Sequence, residues 1–139
     1  MARQLALSVP EFGDVYIDEN LLDIDQDHPV AEFAQFPQVL WMYTDNLARL
    51  SSFNELGRYK LERLKAAKQI EFRNSPPAGI KPTEELYKAW VTVDKDVQTV
   101  AIAYHKATEV EERLKAFCKA LEKKFTSMER IAMLSTRGI

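Results

Sequence analysis

Arg58, Lys65 and Lys68 stand seven and three residues apart, so on a helix they share a face, with Leu61 and Phe72 beside them and Lys60 and Arg63 on an adjoining one. Arg73 ends the run. A ladder of cations next to an aromatic ring has the chemistry a single polynucleotide strand needs. Ammonium and guanidinium groups take phosphates, and a flat apolar surface takes an unstacked base. Glu55, Glu62 and Glu71 interrupt the ladder at spacings of three or four residues, where they can neutralise Arg58 or Lys65. No zinc spacing, recognition-helix motif or aromatic sheet signature is present to read bases. Binding is therefore expected to be sequence-tolerant, dominated by phosphate and weakened by salt.

Other chemistry finds less support. Asp23, Asp25 and Asp27 copy the opening of a calcium loop, but His28 and Pro29 sit where such a loop turns at glycine, and Ala34 replaces its closing glutamate. No metal site is expected. His28 reads as a residue near a helix cap and His105 as a polar helix residue, because no second ligand lies at a metal-binding spacing from either. Cys118 falls on an apolar stripe, where packing is its expected role. There is no glycine-rich phosphate cradle, and no acid, base and nucleophile set converges, so neither an enzyme nor a bound cofactor is expected.

These residues need elements to hold them. Asp14-Val15-Tyr16-Ile17-Asp18 alternates polar and apolar and predicts a short extended piece, an edge strand or an arm laid on a neighbour. From His28-Pro29 the pattern turns helical, and Pro37 predicts a kink or a fresh start, giving a helix over about residues 37–50 and another over about 52–73. The second carries Phe53, Leu56, Leu61, Leu64 and Ile70 on its apolar positions and is weakest at Gly57. It stops in Asn74-Ser75-Pro76-Pro77-Ala78-Gly79, a loop that divides the chain. Thr83 is placed to cap a short helix bearing Leu86, Tyr87 and Trp90, after which Val93, Val97, Val100, Tyr104 and Ala107 begin a longer one. In that last helix Leu114, Phe117, Cys118, Leu121, Phe125, Met128 and Ala132 share one face, opposite Lys115, Lys119, Lys123, Arg130 and Arg137. A stripe this long exceeds what a small monomer covers, so Leu114, Phe117, Leu121, Phe125 and Met128 are expected to pack against other copies of the chain. Trp41 and Trp90 are expected in the core.

The fold expected is all-α and oligomerising, with a short extended N-terminal segment and a long amphipathic C-terminal helix. Its single domain, residues 1–139, comprises an acidic segment (1–29), a helical half with the basic helix (30–74), a Pro-rich loop (75–82) and an amphipathic helical half (83–139). A chain of 139 residues, 46% apolar and 29% charged, suits one soluble globular domain. No stretch approaches the roughly 18 apolar residues of a membrane span, no signal-type segment follows Met1, and one cysteine cannot close an internal disulfide, so a reducing cytoplasm is expected. The net charge of −2 hides sorting: residues 1–29 hold one base against seven acids, whereas residues 49–73 hold seven bases against three acids. Blocks of one sign mark partners of the other.

Three segments together resemble a known family: Asp14-Val15-Tyr16-Ile17-Asp18, Leu47-Ala48-Arg49-Leu50-Ser51-Ser52 entering the basic helix, and Val91-Thr92-Val93-Asp94-Lys95-Asp96-Val97. In order, spacing and overall length they are similar to the tailed-phage recombination mediator UvsY family. The resemblance implies a non-enzymatic, ring-like homo-oligomer in the cytoplasm of the infected bacterial host. It would bind single-stranded DNA and load a phage recombinase onto strands coated by single-strand-binding protein. It also implies that Lys65 and Lys68 are the nearest counterparts of the family's DNA-contacting basic pair. The acidic segment holding Asp14, Asp18, Glu19, Asp23, Asp25 and Asp27 is expected to meet a protein partner or a neighbour's bases. A helical scaffold that binds no nucleic acid is the alternative.

Overall fold

In the computed structural model, which describes residues 3–76 and 81–136, strand β1 (Gln4–Val9) pairs antiparallel with β2 (Gly13–Asp18), in register from Gln4 opposite Asp18 to Val9 opposite Gly13. The turn between them is closed by the Phe12 amide donating to the Val9 carbonyl at 3.1 Å. Pro10 presets the second turn position, and Glu11 adopts a φ of 68°, which the type II arrangement demands at the third. Gly13 follows at φ 119°, a conformation open to glycine alone without strain. The expected extended piece is thus β2. It is an edge strand of a two-stranded sheet, one face of which is buried through Val9, Val15 and Ile17 while Tyr16 stays outside on the other.

After a 3-10 turn (Glu19–Leu22), Asp25 prepares the first helix by accepting hydrogen bonds on Oδ1 from the amides of Asp27 and His28. Pro29, with no amide hydrogen to satisfy, opens helix α1 (Pro29–Asn74). The fresh start expected as one outcome at Pro37 does not occur, since α1 runs through it. An internal proline costs roughly 3 kcal/mol. Burial of Phe36 and Tyr43 on either side, at roughly 1.5–3 kcal/mol for each large apolar side chain, is of the size that offsets it. Nor does Gly57 interrupt the helix; a Cβ there would meet the Tyr104 ring at an ordinary 3.5 Å.

Thr83 caps α2 (Glu84–Val93) as predicted, its hydroxyl accepting from the Leu86 amide at 3.2 Å. Asp94 then separates α2 from α3 (Lys95–Thr136). Its own amide closes α2 on the Val91 carbonyl, and its Oδ2 accepts from the Asp96 and Val97 amides at 3.1 Å to open α3. The mainly helical expectation therefore holds, with a small two-stranded sheet added. No helix among the described residues is long and apolar enough to cross a membrane.

The chain forms two compact units that divide across α1 and α3, not at the Pro-rich segment 75–82, of which residues 77–80 lie outside the described residues. The first unit takes Met1–Ser51 and Glu109–Ile139. Its core holds Val9, Val15, Ile17, Phe36, Tyr43 and Leu50 from the N-terminal part, with Val110, Leu114, Phe117, Cys118, Leu121 and Met128 from α3. Phe125 stacks near-parallel on both Phe33 and Phe36 at 5.6 and 5.8 Å, and Tyr43 meets Phe117 edge-on at 5.0 Å. The residues expected to face other copies are thus covered by their own chain: Leu114 and Leu121 are 0% exposed, Phe117 and Met128 are buried, and Phe125 is half-buried. The part of α1 in this unit supplies the partner surface, through Phe33, Phe36 and Tyr43.

The second unit, Ser52–Thr108, centres on Leu61, Val91 and Val97, with Leu64, Phe72, Val100, Ala101 and Tyr104 packed around them. Asn54 Nδ2 donates to the Ala107 carbonyl at 3.1 Å, and Trp90 meets the Phe72 and Tyr87 rings edge-on. Leu56 and Ile70 depart from expectation at 60% and 61% exposed, as does Trp41 of the first unit at 66%.

Burial pushes the Cys118 thiol above its ordinary value of 9.0, with Glu122 adding to the effect. Unfolding lets that thiol ionise more readily, so its contribution to stability is whole below pH 9 and fades as pH rises beyond it. Cys118→Ala is expected to flatten the fall of melting temperature just above pH 9. Tyr43 and Lys68, whose ordinary values are 10.0 and 10.5 and which are both raised in the fold, take over at higher pH. Parallel melting curves for the two proteins would show that the thiol plays no such part.

Candidate nucleic-acid interface

The basic residues of α1 within the second unit fall into two groups. Arg58, Lys68 and Arg73 are engaged by carboxylates. Arg58 reaches Glu55 at 2.6 Å and Glu62 at 3.4 Å and lies over the Tyr59 ring at 4.9 Å. Its proton is held more tightly than usual, chiefly through the Glu55 hydrogen bond. Lys68 is half-buried, with Nζ 3.1 Å from Asp96 and 3.7 Å from both Asp94 and Glu71. The Asp96 hydrogen bond leads in raising its pKa, against a smaller opposing effect of burial. Arg73 makes two hydrogen bonds to the Glu84 carboxylate, at 2.6 and 2.7 Å, and covers the Tyr87 ring.

Lys60, Arg63 and Lys65 form the other group: all are exposed, and none makes an ion pair among the described residues. Their faces differ from those the ladder required. Arg58, Lys65 and Lys68 flank the inward side that Leu61 and Phe72 bury, whereas Lys60 and Arg63 occupy the outward side with Leu56, Tyr59 and Ile70. Lys65 stands about 140° around the helix from Lys60. The expected ladder Arg58, Lys65, Lys68 is therefore not one free surface. Lys68 secures the start of α3, and the outward face combines two free cations with a half-exposed tyrosine and two exposed aliphatic side chains. This apolar and cationic mixture was hidden from the sequence because Leu56 and Ile70 look like core positions; Tyr59, beside Lys60 and three residues after Leu56, is the signal that marks it.

The first unit holds a cation that spacing alone places in the core. Lys124 comes three residues after Leu121 and four before Met128, on the buried stripe. Its ammonium donates to the carbonyls of Leu21 and Asp23, at 2.5 and 2.7 Å, and pairs with the Glu32 carboxylate while lying 5.1 Å from the Phe36 ring centroid. This ties the 3-10 turn and the segment after it to both long helices. Part of the acidic segment is thus spent on structure: Asp25 orders the turn before α1 by accepting from the Asp27 and His28 amides, and Asp23 pairs with Arg3 at 2.9 Å.

Compared with models of protein families, with curated proteins and with solved structures, the chain matches none of them. The site must be read from its own geometry. Among the described residues no three histidine, cysteine, aspartate or glutamate side chains come together in a way that could hold a metal ion. His28 is exposed at the start of α1 with Nδ1 3.6 Å from Asp25, His105 is exposed on α3, and Cys118 is buried. Of the residues singled out in the sequence, Lys60, Arg63 and Lys65 are therefore the ones on α1 open to a partner, and an anion is the partner their charge admits.

Proposed function

We propose that this protein binds single-stranded DNA without sequence preference and acts as a recombination mediator. In that role it loads a phage recombinase onto strands covered by single-strand-binding protein. The observation that carries the binding is the outward face of α1 in the second unit, where unpaired Lys60 and Arg63 flank exposed Tyr59. Cations there take phosphates, and the ring, already stacked on one side by Arg58, offers its remaining surface to an unpaired base. The loading role rests on the resemblance to the UvsY family and on the acidic N-terminal segment as a surface for a protein partner.

A self-assembled ring suits this chemistry, because several copies along one strand turn a few modest phosphate contacts into a strong grip. Assembly would use apolar side chains that one chain leaves exposed, Val30 and Trp41 among them, in place of the buried stripe of α3. Carboxylate engagement of Arg58, Lys68 and Arg73 favours a second reading, a helical oligomeric scaffold without nucleic acid.

The two readings separate on Tyr59→Ala, a change at an exposed position that leaves both cores intact. Loss of one base stack is worth about 1–3 kcal/mol. Affinity for a fluorescent oligothymidine should accordingly fall by roughly five- to 150-fold, with the melting temperature unchanged. Equal affinity of the two proteins would remove the α1 face from the binding surface.

A further inference from the structure

The outward side of α3 in the first unit carries a second set of free cations, unlike those of α1. Lys115, Lys119 and Lys123 follow one another at four-residue intervals and Arg130 continues the line; all four are exposed, and none makes an ion pair among the described residues. They span about 22 Å of helix, with one lysine per turn over the first part. Arg49 and Arg58 find carboxylates three or four residues away, Asp45 for the first and Glu55 and Glu62 for the second. Here the residue four positions on from a lysine is another lysine, an arrangement that costs a helix a few tenths of a kcal/mol per pair. Glu111 and Glu112 stand four and three residues before Lys115, and Glu122 three after Lys119, yet none of the four cations makes an ion pair among the described residues. The hydroxyls of Thr126 and Ser127 are turned back onto the carbonyls of Glu122 and Lys123 and supply no counter-charge.

The opposite side of the same turns is the buried core of the unit, where Leu114 and Leu121 are fully enclosed. The helix therefore cannot roll to hide the lysines, and their spacing is fixed by packing before any ligand arrives. About 6 Å separates successive lysines along the axis, close to the distance between neighbouring phosphates of an extended strand. No aromatic residue interrupts the line, so it offers charge without a base-stacking surface.

We infer that Lys115, Lys119, Lys123 and Arg130 form a second contact surface for the phosphodiester backbone of a single-stranded polynucleotide, one that grips phosphates alone. The inference rests on the reading of the protein as a binder of single strands, and it adds a surface in the first unit to the one on α1 in the second. Each neutralised phosphate of a single strand contributes about 0.7 to the slope of log affinity against log salt.

The test is a titration of fluorescent oligothymidine at several salt concentrations with the full chain and with the triple variant Lys115→Gln, Lys119→Gln, Lys123→Gln. Its fold is checked by circular dichroism and melting temperature, and a triple Lys→Arg variant serves as the charge-preserving control. The glutamine variant should bind at least about tenfold more weakly at low salt, with a slope shallower by about 2. The arginine variant should keep the wild-type slope. Wild-type affinity and slope in the glutamine variant, alongside weakened binding by Tyr59→Ala, would overturn this surface and leave the α1 face standing. A wild-type chain that ignores the strand at low salt would overturn both.

Discussion

Lys124→Met is expected to lower the free energy of unfolding by about 3–5 kcal/mol, the usual penalty for removing one partner of a buried ion pair. The lysine side chain is 5% exposed and its partner Glu32 19%, so water does little to screen the charge left behind. Methionine keeps much of the length and packing of the lysine stem, so the loss reports the ammonium and not a cavity. What loses its partner is Glu32 Oε1 together with the Leu21 and Asp23 carbonyls, while Glu32 Oε2 keeps the hydrogen bond from the Asp25 amide. Glu32→Gln should also destabilise, and the double variant should lose less than the sum of the two single losses, because both remove the same pair. Urea unfolding of the four proteins measures this. A loss under about 1 kcal/mol for Lys124→Met would mean that the ammonium merely replaces solvent, as exposed pairs do.

Leu121→Ala is expected to cost about 2–5 kcal/mol, the range for emptying a fully buried leucine site that cannot collapse. Leu121 is 0% exposed in the single chain, and its neighbours on the stripe, Leu114, Phe117 and Met128, are themselves buried. The same substitution decides between a core and an interface. If the residue belongs to the core of one chain, the variant's denaturation midpoint drops by the same amount at every protein concentration. If it stabilises contacts between copies, the drop grows on dilution, because subunit association is coupled to concentration. A concentration-independent drop is the expected result.

Local signals in the sequence were legible where the structure is local. The Thr83 cap, Pro29 at the first turn of α1, the alternation that became β2 and the apolar stripe of α3 all depend on residues within a few positions of one another. Glu55 and Glu62 against Arg58 was legible for the same reason. Strand β1 was not, because its alternation of Leu5, Leu7 and Val9 becomes a strand only when β2 comes back to pair with it. At Pro37 the sequence left a kink or a fresh start open, and α1 continues through it with Phe36 and Tyr43 buried around it. At the candidate site the gap has one cause. Lys68 and Arg73 are neutralised by Asp94, Asp96 and Glu84, more than ten residues further along, and no helical spacing reveals that. Which face of α1 is inward follows from α2 and α3 packing against Leu61 and Phe72, so Leu56 and Ile70 could pass for core until those partners were in place.

The central claim, that the free cations of this chain serve a single polynucleotide strand, is tested most directly by titrating a fluorescent oligothymidine with the unmodified protein at low salt and again at higher salt. Saturable binding at low salt that weakens steeply as salt rises is the expected result. No binding at low salt, or binding indifferent to salt, would contradict it.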